Sequence, residues 1–255
     1  SKMSKSKGNF PDPMHIMDEY GADTLRFYLM SSPLMRGEDI NFNEEKVGEL
    51  SRKYIKLLEN VLRFEQMFDV NKMSRNSDHP LDVWVFNRLD KLVYEVTDSL
   101  DAYDTPKACE AILSFVNELS TWYVRRSRDR FKSSDATIAT QAAESLAYVL
   151  SAFAKIVAPI TPFIAEEVYL AVDGAKQSVH LEDWPQHQAY DETLLENMQV
   201  VREIVSAGLD EREKQKMPVR QALAKVTISG VEIPENMLFL IKEELNVKGV
   251  EFSEG

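Results

Sequence analysis

The sequence predicts a mainly α chain: an antiparallel helical bundle with a small C-terminal α/β unit. Three observations carry that expectation. Apolar residues recur at the helical period from about residue 44 to residue 172. Beyond Pro218 the period drops to two. Only nine glycines and ten prolines punctuate 255 residues, too few for the many tight turns of a β-sandwich.

Residues 1–45 read as an irregular connector, with Gly8, Pro11, Pro13, Gly21, Pro33 and Gly37. One helical stretch stands out between Asp23 and Met30, with Asp23 as its N-cap. The bundle is expected over 46–190. Leu50, Tyr54, Leu57, Leu58, Val61 and Leu62 line one helix face. Leu81, Trp84, Val85, Leu89, Leu92, Val93, Val96 and Leu100 line a second. Thr105 and Pro106 give a cap followed by a proline, opening a third helix through Ile112, Phe115, Val116, Leu119, Trp122 and Tyr123. A fourth runs from about 136 to 157. Thr161 and Pro162 repeat the device for a short fifth. Long helices with short polar links pack antiparallel. Residues 191–255 form the last unit. It has a long helix to about 215, a half-buried strand through Ala224, Val226 and Ile228, a short helix from Pro234, and a strand around Val247, Val250 and Phe252.

Thirty Lys and Arg stand against forty-two Asp and Glu, a formal net charge of −12, and 44% of residues are apolar. This excludes collagen-like, disulfide-stapled and wholly disordered chains. The single cysteine, Cys109, leaves no internal disulfide, and with four scattered histidines no Cys/His zinc site. A reducing, cytoplasmic setting is expected, with no membrane span. The acidic total speaks against nucleic acid overall but leaves local patches open.

Lys2 and Lys5, with Ser4 and Ser6, place ammonium and hydroxyl groups on a short stretch leading to Gly8 and Asn9. Such groups suit a polyphosphate, since a lysine can follow charge developing in a transition state. A flexible basic terminus has the same composition. The run Lys2-Met3-Ser4-Lys5-Ser6 resembles, letter for letter, the KMSKS signature of class I aminoacyl-tRNA synthetases. It continues through Lys7-Gly8-Asn9-Phe10-Pro11-Asp12-Pro13 and Tyr20-Gly21-Ala22-Asp23-Thr24-Leu25-Arg26, which resembles the subgroup for isoleucine, valine and leucine. Leu119 to Phe131 is similar to the Leu-Ser-x-Trp-Tyr-Ile-Arg-Arg-Ser-Arg segment of the isoleucine enzymes, with Val124 in place of Ile. Glu243 to Lys248 is similar to a C-terminal stretch of the same enzymes.

The resemblance implies a fold and a role. The bundle would be the anticodon-binding domain. The loop of Lys2, Met3, Ser4, Lys5 and Ser6 would close over ATP with magnesium, and Lys2 and Lys5 would stabilise the pyrophosphate leaving group. The family's second signature, His-x-Gly-His, has no match, and His15-Ile16-Met17-Asp18 only begins like it. The expectation is a C-terminal piece of an isoleucine enzyme. Its catalytic and editing domains lie elsewhere in the parent, and the piece is inactive alone, monomeric and without bound cofactor. Its retained partner would be tRNA. A valine or leucine enzyme, or a non-catalytic helical scaffold for protein partners, stands as the alternative.

The candidate tRNA contacts are Trp122, Arg125, Arg126, Arg128, Arg130 and Lys132, five cations near one carboxylate, Asp129. Arg125 and Arg128 lie three apart and Arg126 and Arg130 four apart, so they fall on adjoining helix faces. Arginine forks suit phosphates and an indole can stack on an unpaired base. Equally, Trp122 fits the inward face and arginines can pair with surplus carboxylates. A weaker patch, Arg212, Lys214, Lys216 and Arg220, reads as a solvated helix end. Adjacent carboxylates such as Glu166 and Glu167 point about 100° apart and form no acid/base pair.

Overall fold

A computed structural model describes residues 12–68, 70 and 72–253. The chain divides into two compact units between Ala189 and Tyr190.

The first unit opens with a helix that the sequence reading leaves irregular. In α1 (Pro13–Tyr20) Pro13 takes the first turn, and the Asp12 carboxylate accepts the Met14 N–H at 3.0 Å. Gly21, at φ +85°, ends it and begins α2 (Ala22–Met30). Asp23 is therefore not the N-cap of its own helix. Its carboxylate instead accepts the Ile164 N–H at 2.7 Å, at the start of a helix 141 residues later. A 3₁₀ turn, Pro33–Arg36, follows.

The expected helix from 44 is one rod with a wide turn inside it: α3 (Glu44–Leu50), a π turn (Ser51–Ile55) and α4 (Lys56–Glu65). Next is α5 (Pro80–Asp101), where His79 Nδ1 accepts the Leu81 N–H at 3.2 Å. The next cap is Asp104, not Thr105. Asp104 accepts the Lys107 N–H at 3.3 Å and opens α6 (Thr105–Glu118). The Thr105 hydroxyl donates to the Met30 carbonyl at 3.2 Å, tying α6 to α2. A second π turn, Leu119–Val124, leads into α7 (Arg125–Phe131). The wide turn advances each residue by less angle than an α turn, so Trp122, Tyr123 and Val124 are all buried. Then come α8 (Ala136–Val157) and α9 (Pro162–Val172).

In the bundle α5 packs against α6 and α8, and α8 against α7 and α9. Phe115 stacks on Phe153 with ring centroids 5.4 Å apart. Thr161 holds the N-cap position of α9 without a capping bond, because its hydroxyl meets the Tyr54 phenol at 2.7 Å. Asp23 supplies the missing cap. Arg26 closes the same corner, donating to the carbonyls of Ile160 and Pro159 at 3.0 and 3.1 Å.

The second unit begins with α10 (Glu192–Lys214), capped by Asp191. It continues with β1 (Leu223–Ser229), α11 (Leu238–Leu245) and β2 (Val247–Ser253). The strands pair in parallel, Leu223 opposite Val247 through Ser229 opposite Ser253, as a crossover through α11 requires. Gly208 of α10 lets the Leu245 side chain in, for a Cβ there would lie 2.6 Å from it. Arg212 departs from the solvated helix end expected of it. It is buried, and its guanidinium donates to the carbonyls of Leu245, Gln221 and Pro218. The Leu245 carbonyl, at the end of α11, and two carbonyls of the loop before β1 are satisfied this way.

Candidate nucleic-acid interface

The five cations of the α7 segment sort into two sets by helical phase, at about 100° per residue. Arg125, Arg128 and Lys132 share one side with Asp129, and all four are exposed. Arg126 and Arg130 share the other side with buried Ser127 and Phe131, and both are partly covered. Ser127 and Phe131 decide which side faces in, because burying the phenyl ring is the larger gain.

Arg130 has an internal partner. Its Nη1 and Nη2 donate to the two oxygens of Asp82 at 2.8 and 2.6 Å. Asp82 is wholly buried and also accepts from the Tyr123 phenol at 2.7 Å and the Ser77 hydroxyl at 2.6 Å. Burial lowers the Arg130 pKa, and the fork onto Asp82 more than restores it, leaving it above the ordinary value. Burial likewise pushes the Tyr123 phenol well up, so it stays a donor. The buried carboxylate has charge and hydrogen bonds satisfied together, the condition for keeping an ion inside a protein. Arg130 is thus a strut between α5 and α7.

Trp122 also leaves the surface, with 5% of its area exposed. Arg125 covers it, the guanidinium carbon lying 5.8 Å from the indole centroid, while Arg125 Nε donates to the Thr121 carbonyl at 2.8 Å. Arg128 and Lys132 form no ion pair among the described residues.

Sequence reasoning passed over an apolar cluster beside this helix. Phe64, Phe68 and Phe131 meet with ring centroids 4.9 to 5.2 Å apart, joining the end of α4 to the end of α7. The Phe64 and Phe68 spacing of four was a usable signal. The residues expected to meet ATP, Lys2, Met3, Ser4, Lys5 and Ser6, lie outside the described residues. Among the described residues no group of His, Cys, Asp or Glu could hold a metal ion. Among them also, no helix is long and apolar enough to cross a membrane.

A family model described as the anticodon-binding domain of tRNA ligase matches residues 82–228, and one for class I tRNA synthetases (I, L, M and V) matches residues 1–43. The chain belongs to the family of tRNA ligase anticodon-binding domains. Curated relatives named isoleucine–tRNA ligase match it nearly end to end. The Protochlamydia amoebophila protein is 36% identical over 99% of this chain and 26% of its own length. That of Deinococcus radiodurans is 37% identical over 100% of this chain and 25% of its own. The chain therefore spans about a quarter of these relatives. A crystal structure described as the ternary complex of Agrobacterium radiobacter K84 agnB2 LeuRS-tRNA-LeuAMS matches with a TM-score of 0.51 and 22% identity. It covers 76% of this chain and 23% of that one. That likeness bears on fold alone. In this anticodon-binding domain the whole α7 segment falls within the matched residues.

Proposed function

We propose that the chain is the tRNA-binding part of an isoleucine–tRNA ligase. The longer protein activates isoleucine with ATP and magnesium and transfers it to its tRNA in the cytoplasm. Arg125, Arg128 and Lys132 contact phosphates, with Arg126 at the margin. Trp122 and Arg130 hold the helix that carries them. Lys2 and Lys5 neutralise the leaving pyrophosphate, with Met3, Ser4 and Ser6 shaping that loop. The observation that carries the reading is the exposed cation stripe on α7, inside a chain of net charge −12.

A filter-binding titration tests it, using isoleucine tRNA against a non-cognate tRNA at several salt concentrations. The cognate should bind more tightly, and binding should weaken as salt rises. Replacing Arg125, Arg128 and Lys132 together with Ala should make the slope of log affinity against log salt shallower by roughly 2 to 3, at about 0.7 to 0.9 per lost phosphate contact. Absence of binding to either tRNA would reject the reading in favour of a helical scaffold for proteins.

A further inference from the structure

The last turn of α4 ends in apolar side chains that the core does not cover. Met67 is 69% exposed. Phe64 and Phe68 each keep part of the ring in solvent. They are held in place by Phe131, which is itself buried. Lys132 follows Phe131 directly, and Arg128 lies one helical turn before it. An apolar ledge and a stripe of cations therefore meet at one end of the bundle.

Either an RNA loop or a protein helix has the apolar surface to cover such a ledge. Charge selects the RNA. On the exposed side of α7 beside the ledge, Arg125, Arg128 and Lys132 stand against Asp129, while Glu65 in the ledge's own turn is buried. An unpaired nucleotide brings both complements at once: a flat base for the phenyl ring and flanking phosphates for the cations. We propose that Phe68, with Phe64 and Met67 beside it, is a stacking platform for one unpaired base of the tRNA, whose phosphates follow the α7 stripe. The proposal rests on the tRNA-binding reading above.

Phe68→Leu keeps apolar volume in the cluster and removes the ring; Phe68→Tyr keeps the ring. Each is titrated with an isoleucine tRNA transcript across a salt series beside the unaltered chain. Phe68→Leu should bind about ten-fold more weakly, within the range for losing one stacked base. Its salt slope should be unchanged, because no cation is removed. Phe68→Tyr should bind like the unaltered chain. Met67→Glu sits at an exposed position and serves even if Phe68→Leu fails to fold. A carboxylate on the ledge should cost about ten-fold in affinity. Equal binding by Phe68→Leu, or by Met67→Glu where the first does not fold, overturns the platform and leaves the cation stripe standing. An unaltered chain that binds no transcript at any salt overturns both readings and assigns the ledge to a protein partner.

Discussion

At one end of the first unit, Asp23 and Arg26 of α2 turn into the corner between α8 and α9 and close it with three hydrogen bonds. At the other end, Arg125, Arg128 and Lys132 stand on the exposed side of α7. The length of α8, 22 residues or about 33 Å, separates the two. The same side-chain chemistry serves different ends. A guanidinium facing orphan carbonyls finishes a fold, while one facing water is available to a phosphate. Arg128 and Arg130 show that the boundary can fall within a single turn, since Asp82 holds only the second.

The most severe way to break that contrast is to remove the carboxylate that holds the inward arginine. Asp82→Ala leaves Arg130, Tyr123 and Ser77 facing a buried gap. Breaking a buried pair from one side costs about 3 to 5 kcal/mol. Urea unfolding should show that loss. A loss below about 1 kcal/mol would mean that the network is open to water, because exposed pairs are worth little.

The connector end should be more tolerant. Asp23→Ala removes the cap of α9, and caps contribute about 1 to 2 kcal/mol. Asp23→Asn keeps an acceptor for the Ile164 N–H and should lose less. Burial raises the Asp23 carboxyl above the usual range, against the backbone bonds from Ile164 and Phe163, so the neutral amide also relieves a cost. Equal thermal unfolding midpoints for the Ala variant and the unaltered chain would show that the corner closes without this bond.

Much of the fold was legible because several local signals coincided. The helix over 136–157 has the expected bounds, with Asp135 as cap and an uninterrupted apolar face. The misses share one physical origin, that a polar side chain does not announce its partner. Asp23 has the right chemistry for a cap, but the helix it serves is remote in sequence. Thr105 sits one place inside the helix it was expected to cap, because Asp104 competes better for the free N–H groups. Asp12 and Pro13 carry the cap-and-proline signal, yet only Ile16 of the helix they start is buried, so periodicity is silent there. At the interface, the split of the arginines into two faces was readable from spacing. That Arg130 on the inward side would find a carboxylate there was not, since Asp82 lies on another helix.

The gentlest perturbation is pH, and it acts at the α7 end through two groups of opposite sign. Glu65 closes α4 and is buried, and burial pushes its carboxyl up to about 7. Between its ordinary value and about 7 the folded chain keeps a proton that the unfolded chain releases. Stability from the neutral form is therefore full at low pH and lost as pH rises through 7. Burial, helped by Arg130, pushes His79 down to about 4, and its neutral ring is what accepts the Leu81 N–H. Its contribution runs the other way, complete above about 6.5 and lost as pH falls toward 4. Glu65→Gln should thus raise the thermal midpoint at pH 8 and have little effect at pH 5. His79→Asn, which caps without titrating, should flatten the decline below pH 6.5. A Glu65→Gln midpoint that shifts equally at both pH values would show the carboxyl ionising as freely in the folded chain as in the unfolded one, and the α7 end would then be as wet inside as it is outside.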